Sequence, residues 1–201
     1  MPVNAARPGP GLPALLAEVR SCRVCAAHLA AGPRPIIQVS ATARLAIVGQ
    51  APGAKVHASG IAWQDASGER LQDWTDLSPE VFYDPARVAL LPIGFCYPGK
   101  GASGDLPPRP ECAPLWHDAL FDHLPTDRLV LLVGSYAQHR YASALGKITL
   151  TEMVRRGREL GAGLFPLPHP SWRSTLWMRE NLWFETDILP ELRRRVAEAV
   201  A

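Results

Sequence analysis

Four cysteines, an aspartate, a histidine and a short aromatic turn are the residues of this chain whose types and spacing can do chemistry. Cys22 and Cys25 form a CxxC pair, Cys96 lies far downstream, and Cys112 follows sixteen residues later. Where thiols stay reduced, such a set serves as metal ligands or rests as ordinary buried thiols more readily than it forms disulfides. Four cysteines suit a tetrahedral zinc site or an iron-sulfur cluster. Either would have to close the N-terminal segment onto the middle of the chain.

Asp65 and His169 are the candidate catalytic groups. Asp65 opens the run Asp65-Ala66-Ser67-Gly68-Glu69, so a helix-capping role and a catalytic role both fit it. His169 stands between Pro168 and Pro170, which stiffen its backbone and keep it off any helix or central strand. His57 is a weaker candidate in the first loop. The amides of Gly49-Gln50-Ala51-Pro52-Gly53 are candidate donors to a substrate. Trp63, an aromatic among polar loop residues, is either a hydrophobic lid or a platform on which a stacked base would gain about 1–3 kcal/mol. Ser171, Trp172, Arg173 and Ser174 place hydroxyls, an aromatic ring and a guanidinium in one turn, a combination suited to a phosphate backbone and an unstacked base.

These residues need strands to hold them. Leu45–Val48 is an apolar run stopped by Gly49 and Pro52, as a strand buried on both faces should be. Further strands are expected over 88–93, 129–133 and 163–167. Helices are expected over 12–29, 67–77, 111–124, 134–145 and 149–160, the last capped by Thr149 or Thr151, and from 176 to 200 with a break near Pro190. Residues 97–110, with four prolines and three glycines, read as a long functional loop without secondary structure. Alternating strands and helices predict a three-layer αβα fold with a central, mostly parallel four-stranded sheet. The candidate groups follow strand ends, where open α/β sheets bind their ligands.

At 201 residues and 47% hydrophobic content, the chain suits one domain over 12–201 behind a disordered segment 1–11 rich in proline and glycine. A formal net charge of +2 is too mild to demand a nucleic-acid partner, although only 3 of the 21 basic residues are lysine and arginine suits phosphate. No apolar run reaches the roughly 20 residues of a membrane span, and no basic segment precedes an apolar core at the N-terminus. A cytoplasmic, monomeric protein without a membrane partner is the expectation.

Taken together, the motifs resemble those of the uracil-DNA glycosylase superfamily, most closely its iron-sulfur-containing families 4 and 5, over nearly the whole chain. Gly49-Gln50-Ala51-Pro52-Gly53 is similar to the first motif, GEAPG in family 4, and His169-Pro170-Ser171 to the second. Gly60 through Gly68, with its central aromatic, is similar to the segment between them, and the cysteine pattern is that of family 4. The resemblance implies a DNA glycosylase that hydrolyses the N-glycosidic bond of a flipped, deaminated base and leaves an abasic site. It implies that Cys22, Cys25, Cys96 and Cys112 ligate a structural 4Fe-4S cluster, zinc being the alternative. It implies that the backbone of Gln50 and Ala51 contacts the base, that Trp63 stacks on it, and that His169 hydrogen-bonds its O2 as charge develops there. Two departures shape the expectation. Gln50 and Ala51 stand where families 4 and 1 carry their acids, whereas Asp65-Ala66-Ser67-Gly68 resembles the DxSG of family 5, so Asp65 is the expected catalytic acid, either orienting water or stabilising the oxocarbenium-like sugar. The asparagine that reads uracil in family 4 falls near Pro92, so hypoxanthine and xanthine join uracil as expected bases. The rival expectations are a glycosylase-like protein that binds DNA or a base without efficient cleavage, and a small zinc-containing α/β enzyme acting on a nucleotide.

Overall fold

The computed structural model describes residues 11–102 and 104–201; the disorder expected of 1–11 falls, up to residue 10, outside them. Helices α1 (Leu12–Ser21), α2 (Ala54–Ser59), α3 (Ala66–Thr75), α4 (Pro79–Phe82), α5 (Cys112–Phe121), α6 (Ser135–Tyr141), α7 (Leu150–Arg155), α8 (Ser174–Glu180) and α9 (Leu189–Val200) alternate with strands β1 (Leu45–Val48), β2 (Val88–Leu90), β5 (Leu129–Val133) and β6 (Leu164–Leu167). A two-stranded hairpin, β3 (Lys100–Gly101) and β4 (Gly104–Asp105), lies between β2 and α5. The four main strands form one sheet in the order β2-β1-β5-β6, every pair parallel.

Side chains alternate across a strand, and the sheet shows it. Ala46, Val48, Val130 and Leu132 join one apolar cluster with Leu15, Leu120 and Ala137 of α1, α5 and α6. Leu45, Ile47, Leu129 and Leu131 join another with Leu71 and Leu192 of α3 and α9. The sheet is thus covered on both faces, the expected three layers. Each fully buried aliphatic side chain contributes about 1.5–3 kcal/mol, so the apolar runs at β1 and β5 anchor the strand ends from which the loops project.

Several expectations change. The first helix ends at Ser21, not at residue 29, because Cys22 turns extended (φ −58°, ψ 134°) and a 3-10 turn follows at Ala26–His28. The 97–110 loop contains the β3–β4 hairpin, closed by the Leu106 amide donating to the Gly99 carbonyl at 2.8 Å. The helix expected over 149–160 starts from a Thr149 capping box with Glu152 and ends at Arg155. Beyond it the chain tightens into a 3-10 turn at Gly157–Leu160, where Gly157 packs so closely on Pro166 that a Cβ would sit 2.8 Å from its ring. The second strand stops at Leu90, although its ladder continues: Leu91 and Ile93 donate to the carbonyls of Ile47 and Gly49 at 2.9 Å each, while Pro92, between them, has no N–H to give. Gln38 bridges antiparallel to Leu90, so the extended approach to β1 closes that edge. The C-terminal helix breaks at Asn181 and again around the π-helical turn Phe184–Ile188, with Pro190 in the first turn of α9. Among the described residues no helix is long and apolar enough to cross a membrane.

Candidate active site

The carboxyl ends of the strands deliver one pocket, lined by Gly49, Gln50, Ala51, Pro52, Gly53, Trp63, Asp65 and His169, with Ile36, Val56, Ala62, Ser67 and Pro92 completing its wall. Groups far apart in sequence converge because β1, β2, β5 and β6 lie side by side and parallel. The carbonyls of Gly49 and Gln50 accept from Ile93 and Gly94 at 2.9 Å, which ties the first loop to the segment after β2.

Asp65 does two jobs with its two oxygens. It is the N-cap of α3, where Oδ1 accepts from the amides of Ser67 and Gly68 at 3.0 Å each. Its Oδ2 faces Gly53, 3.9 Å from where a Cβ there would stand. The cap and the pocket carboxylate are therefore the same side chain, immobilised by the helix it starts.

Trp63 depends on two glycines. Its φ is +59°, a left-handed conformation that costs a bulky residue energy and persists only where the surroundings dictate it. A Cβ on Gly68 would lie 1.7 Å from the Trp63 carbonyl oxygen, and one on Gly49 would lie 2.6 Å from its ring. With both glycines bare, the indole lies over the end of β1, its centroid 6.0 Å from that of the His169 ring at an interplanar angle of 30°.

His169 is held by its own loop: its carbonyl accepts from the Ser171 amide at 2.8 Å and from the Ser174 hydroxyl. Its Cβ rests against Gly134, where a Cβ would come within 3.3 Å. Burial lowers the His169 pKa below the ordinary histidine value, with the Asp65 charge opposing, so the ring is neutral at neutral pH.

The remaining expected residues stand around this centre. Ser171 does not line the pocket; its carbonyl accepts from Arg70 at 2.7 Å. Trp172 is 76% exposed, with the Arg173 guanidinium 5.7 Å from its ring centroid. Ser174 is buried and its hydroxyl is spent on His169. His57 lies in α2 beside Tyr97, ring centroids 5.8 Å apart, and its buried Nδ1 has no hydrogen-bond partner among the described residues. Ile36 carried no sequence signal as a lining residue, since an isolated apolar residue before a strand is ordinary, whereas Pro92 lines the pocket near where the resemblance puts the base-reading asparagine.

The four cysteines ring a second cavity, walled also by Leu29, Phe95 and Trp116. Cys22 caps the C-terminal end of α1, Cys25 starts the 3-10 turn, Cys96 follows the end of β2, and Cys112 begins α5. The Phe95 amide donates to Cys112 Sγ at 3.3 Å. Cys25 Sγ lies 3.8 Å from Glu111, itself paired with Arg109 at 2.6 Å. Burial raises the thiols of Cys25 and Cys96, and pushes that of Cys112 up to about 12; a bound cation would have to displace those protons. Among the described residues no three His, Cys, Asp or Glu side chains gather tightly enough to hold a single metal ion. The thiols surround a space instead of converging on a point.

A buried histidine joins the two cavities. His117 is 0% exposed, with Nε2 3.0 Å from the Pro92 carbonyl, Nδ1 2.6 Å from the Tyr141 hydroxyl, and its ring stacked on Phe95. A carbonyl only accepts, so Nε2 carries the proton and Nδ1 accepts from Tyr141. Burial pushes its pKa down to about 4. The unfolded chain takes up this proton near the ordinary value of about 6.5, while the folded chain refuses it until about 4. The stability is therefore complete above that ordinary value and falls as pH drops through the window between the two. Urea melts across this window are expected to lose on the order of 3 kcal/mol more for the wild-type chain than for His117→Gln; equal acid dependence in both would contradict it.

A family model described as the uracil DNA glycosylase superfamily matches residues 36–193, which take in the whole first pocket but not Cys22 and Cys25.

Proposed function

We propose that this chain, which belongs to the uracil DNA glycosylase superfamily, is a monofunctional DNA glycosylase that hydrolyses the N-glycosidic bond of a deaminated base and leaves an abasic site. Superfamily members are glycosylases acting on damaged bases in DNA. The observation that carries the finer reading is the single pocket uniting the 49–53 loop, Trp63, the free oxygen of Asp65 and the neutral ring of His169. In this reading the flipped base enters the pocket and stacks on Trp63. The C1′–N bond breaks with its electron pair on the base, so negative charge grows on the base and positive charge on the sugar. A neutral imidazole donating from His169 and the amides of Gln50 and Ala51 stabilise the first; the Asp65 carboxylate stabilises the second. Trp172 and Arg173, exposed on the loop just after His169, supply an aromatic face and a charge for the flanking DNA.

The donor set of the second cavity, four thiols around an apolar space with a backbone amide aimed at one sulfur, fits a 4Fe-4S cluster better than one zinc ion. Cys22, Cys25, Cys96 and Cys112 would hold it. When bound it would cross-link α1, the end of β2 and α5 through thiolate bonds.

Duplex and single-stranded oligonucleotides carrying uracil, hypoxanthine or xanthine, incubated with the protein and then cleaved with alkali at abasic sites, test the activity. Release of at least one of these bases is expected; a gel shift without release from any of them would make the protein a binder. Protein purified without oxygen is expected to be brown and to contain iron, and zinc in a colourless preparation would exclude the cluster.

A further inference from the structure

The geometry points to Asp105, on the β3–β4 hairpin, as a second carboxylate of the reaction centre, the one that takes the proton of the attacking water. This inference rests on the glycosylase reading above and adds to it a residue that no motif contains.

Two carboxylates approach Gly53 from opposite sides of the sequence. The point a Cβ on Gly53 would occupy lies 3.9 Å from Asp65 Oδ2 and 3.4 Å from Asp105 Oδ2. Gly53 and Asp65 line the pocket, and Asp105 stands beside Gly53 at its edge. Asp65 is committed through Oδ1 to the amides of Ser67 and Gly68. Asp105 is exposed, and among the described residues its Oδ1 meets only the Tyr97 hydroxyl at 3.4 Å, from a tyrosine that is itself buried. That contact turns Oδ2 toward Gly53 and leaves the carboxylate open to solvent.

The hairpin is built to deliver it. Lys100 pairs with Asp105 and Gly101 with Gly104, the Leu106 amide closes the base of the turn on Gly99, and Gly99 adopts a φ of +102° that permits the reversal. A Cβ on Gly104 would lie 3.9 Å from the Arg173 guanidinium, so the hairpin spans from the first loop to the loop after His169, across the site.

The division of labour follows from the different surroundings of the two acids. Departure of the base leaves a cationic sugar that needs a fixed anion beside it, and a water that must lose a proton as it attacks. The C1′–N bond breaks with its electron pair leaving on the base; the water oxygen forms the new bond to C1′, and its proton passes to Asp105, which returns it to solvent. Asp65, pinned by two amides, is the fixed anion. Asp105, with one weak partner and access to water, is the proton acceptor.

Single-turnover base release on the oligonucleotide that the wild-type chain cleaves, measured beside the affinity for the same duplex, tests this. Asp105→Asn is expected to slow release by about 10²-fold, with affinity for the same duplex retained and partial recovery in Asp105→Glu. A rate within about threefold of wild type would overturn the assignment. So would a slowed rate that comes with an equal loss of affinity and no recovery in Asp105→Glu, which would mean that Asp105 only positions DNA. If the wild-type chain releases none of the three bases, the glycosylase reading itself falls and this inference with it; activity in the wild type with no change in Asp105→Asn removes this inference alone.

Discussion

Asp65→Asn is expected to lower single-turnover base release by about 10³-fold while the protein melts as the wild type does and binds DNA as tightly. The substitution separates the two uses of this side chain. Asparagine is as good an N-cap as aspartate, so its carbonyl oxygen can still accept from the Ser67 and Gly68 amides now bound at 3.0 Å. What disappears is the negative charge on the oxygen facing Gly53, the charge assigned to the cationic sugar. Asp65→Ala removes both uses and is expected to lose about 1 kcal/mol of stability in addition. Rapid-quench assays on the oligonucleotide, beside urea melts of both variants, resolve the two effects. An asparagine variant that releases base at the wild-type rate would leave Asp65 as a helix cap and nothing more.

For His169→Ala the expected loss is about 10²–10³-fold, the range measured when one donor to a developing anion is removed. Alanine keeps what holds the loop: the Cβ against Gly134 and the carbonyl that accepts from Ser171 and Ser174. Only the ring goes. The pH dependence checks the protonation state. Burial holds the His169 pKa below the ordinary value, so the neutral ring is the working form, and acidification from neutrality should not raise the wild-type rate. A rate that climbs as pH falls through the ordinary histidine range would mean that the imidazolium is the catalyst, and the assignment would fail.

How much of this was legible depended on range. The runs at Leu45–Val48 and Leu129–Val133 are apolar at every position, and they are the buried strands. Asp65 announces itself as a cap by the residues that follow it, and His169 by its flanking prolines. Helices α2 and α4 were not legible, because segments of 6 and 4 residues lie below the length at which helical periodicity accumulates. Distant contacts hold the first of them: Arg34 donates to the carbonyls of His57 and Ala58 at its C-terminal end. The β3–β4 hairpin was hidden for a related reason, since its glycines carry no alternation to read.

The layered fold and the set of strand-end loops belong to the sequence, because periodicity and punctuation act over a few residues. The spacing of the cysteines belongs to it as well. Tertiary structure alone decided that Asp65 divides its oxygens between cap and pocket, that Gly49 and Gly68 make room for a strained Trp63, that the four thiols ring one space, and that Asp105 and Asp65 both lie beside Gly53. Each of these is a distance of a few ångströms between groups carried by separate loops or helices. Only the packing of the two apolar clusters against the sheet sets such distances, by fixing where each strand ends relative to its neighbours.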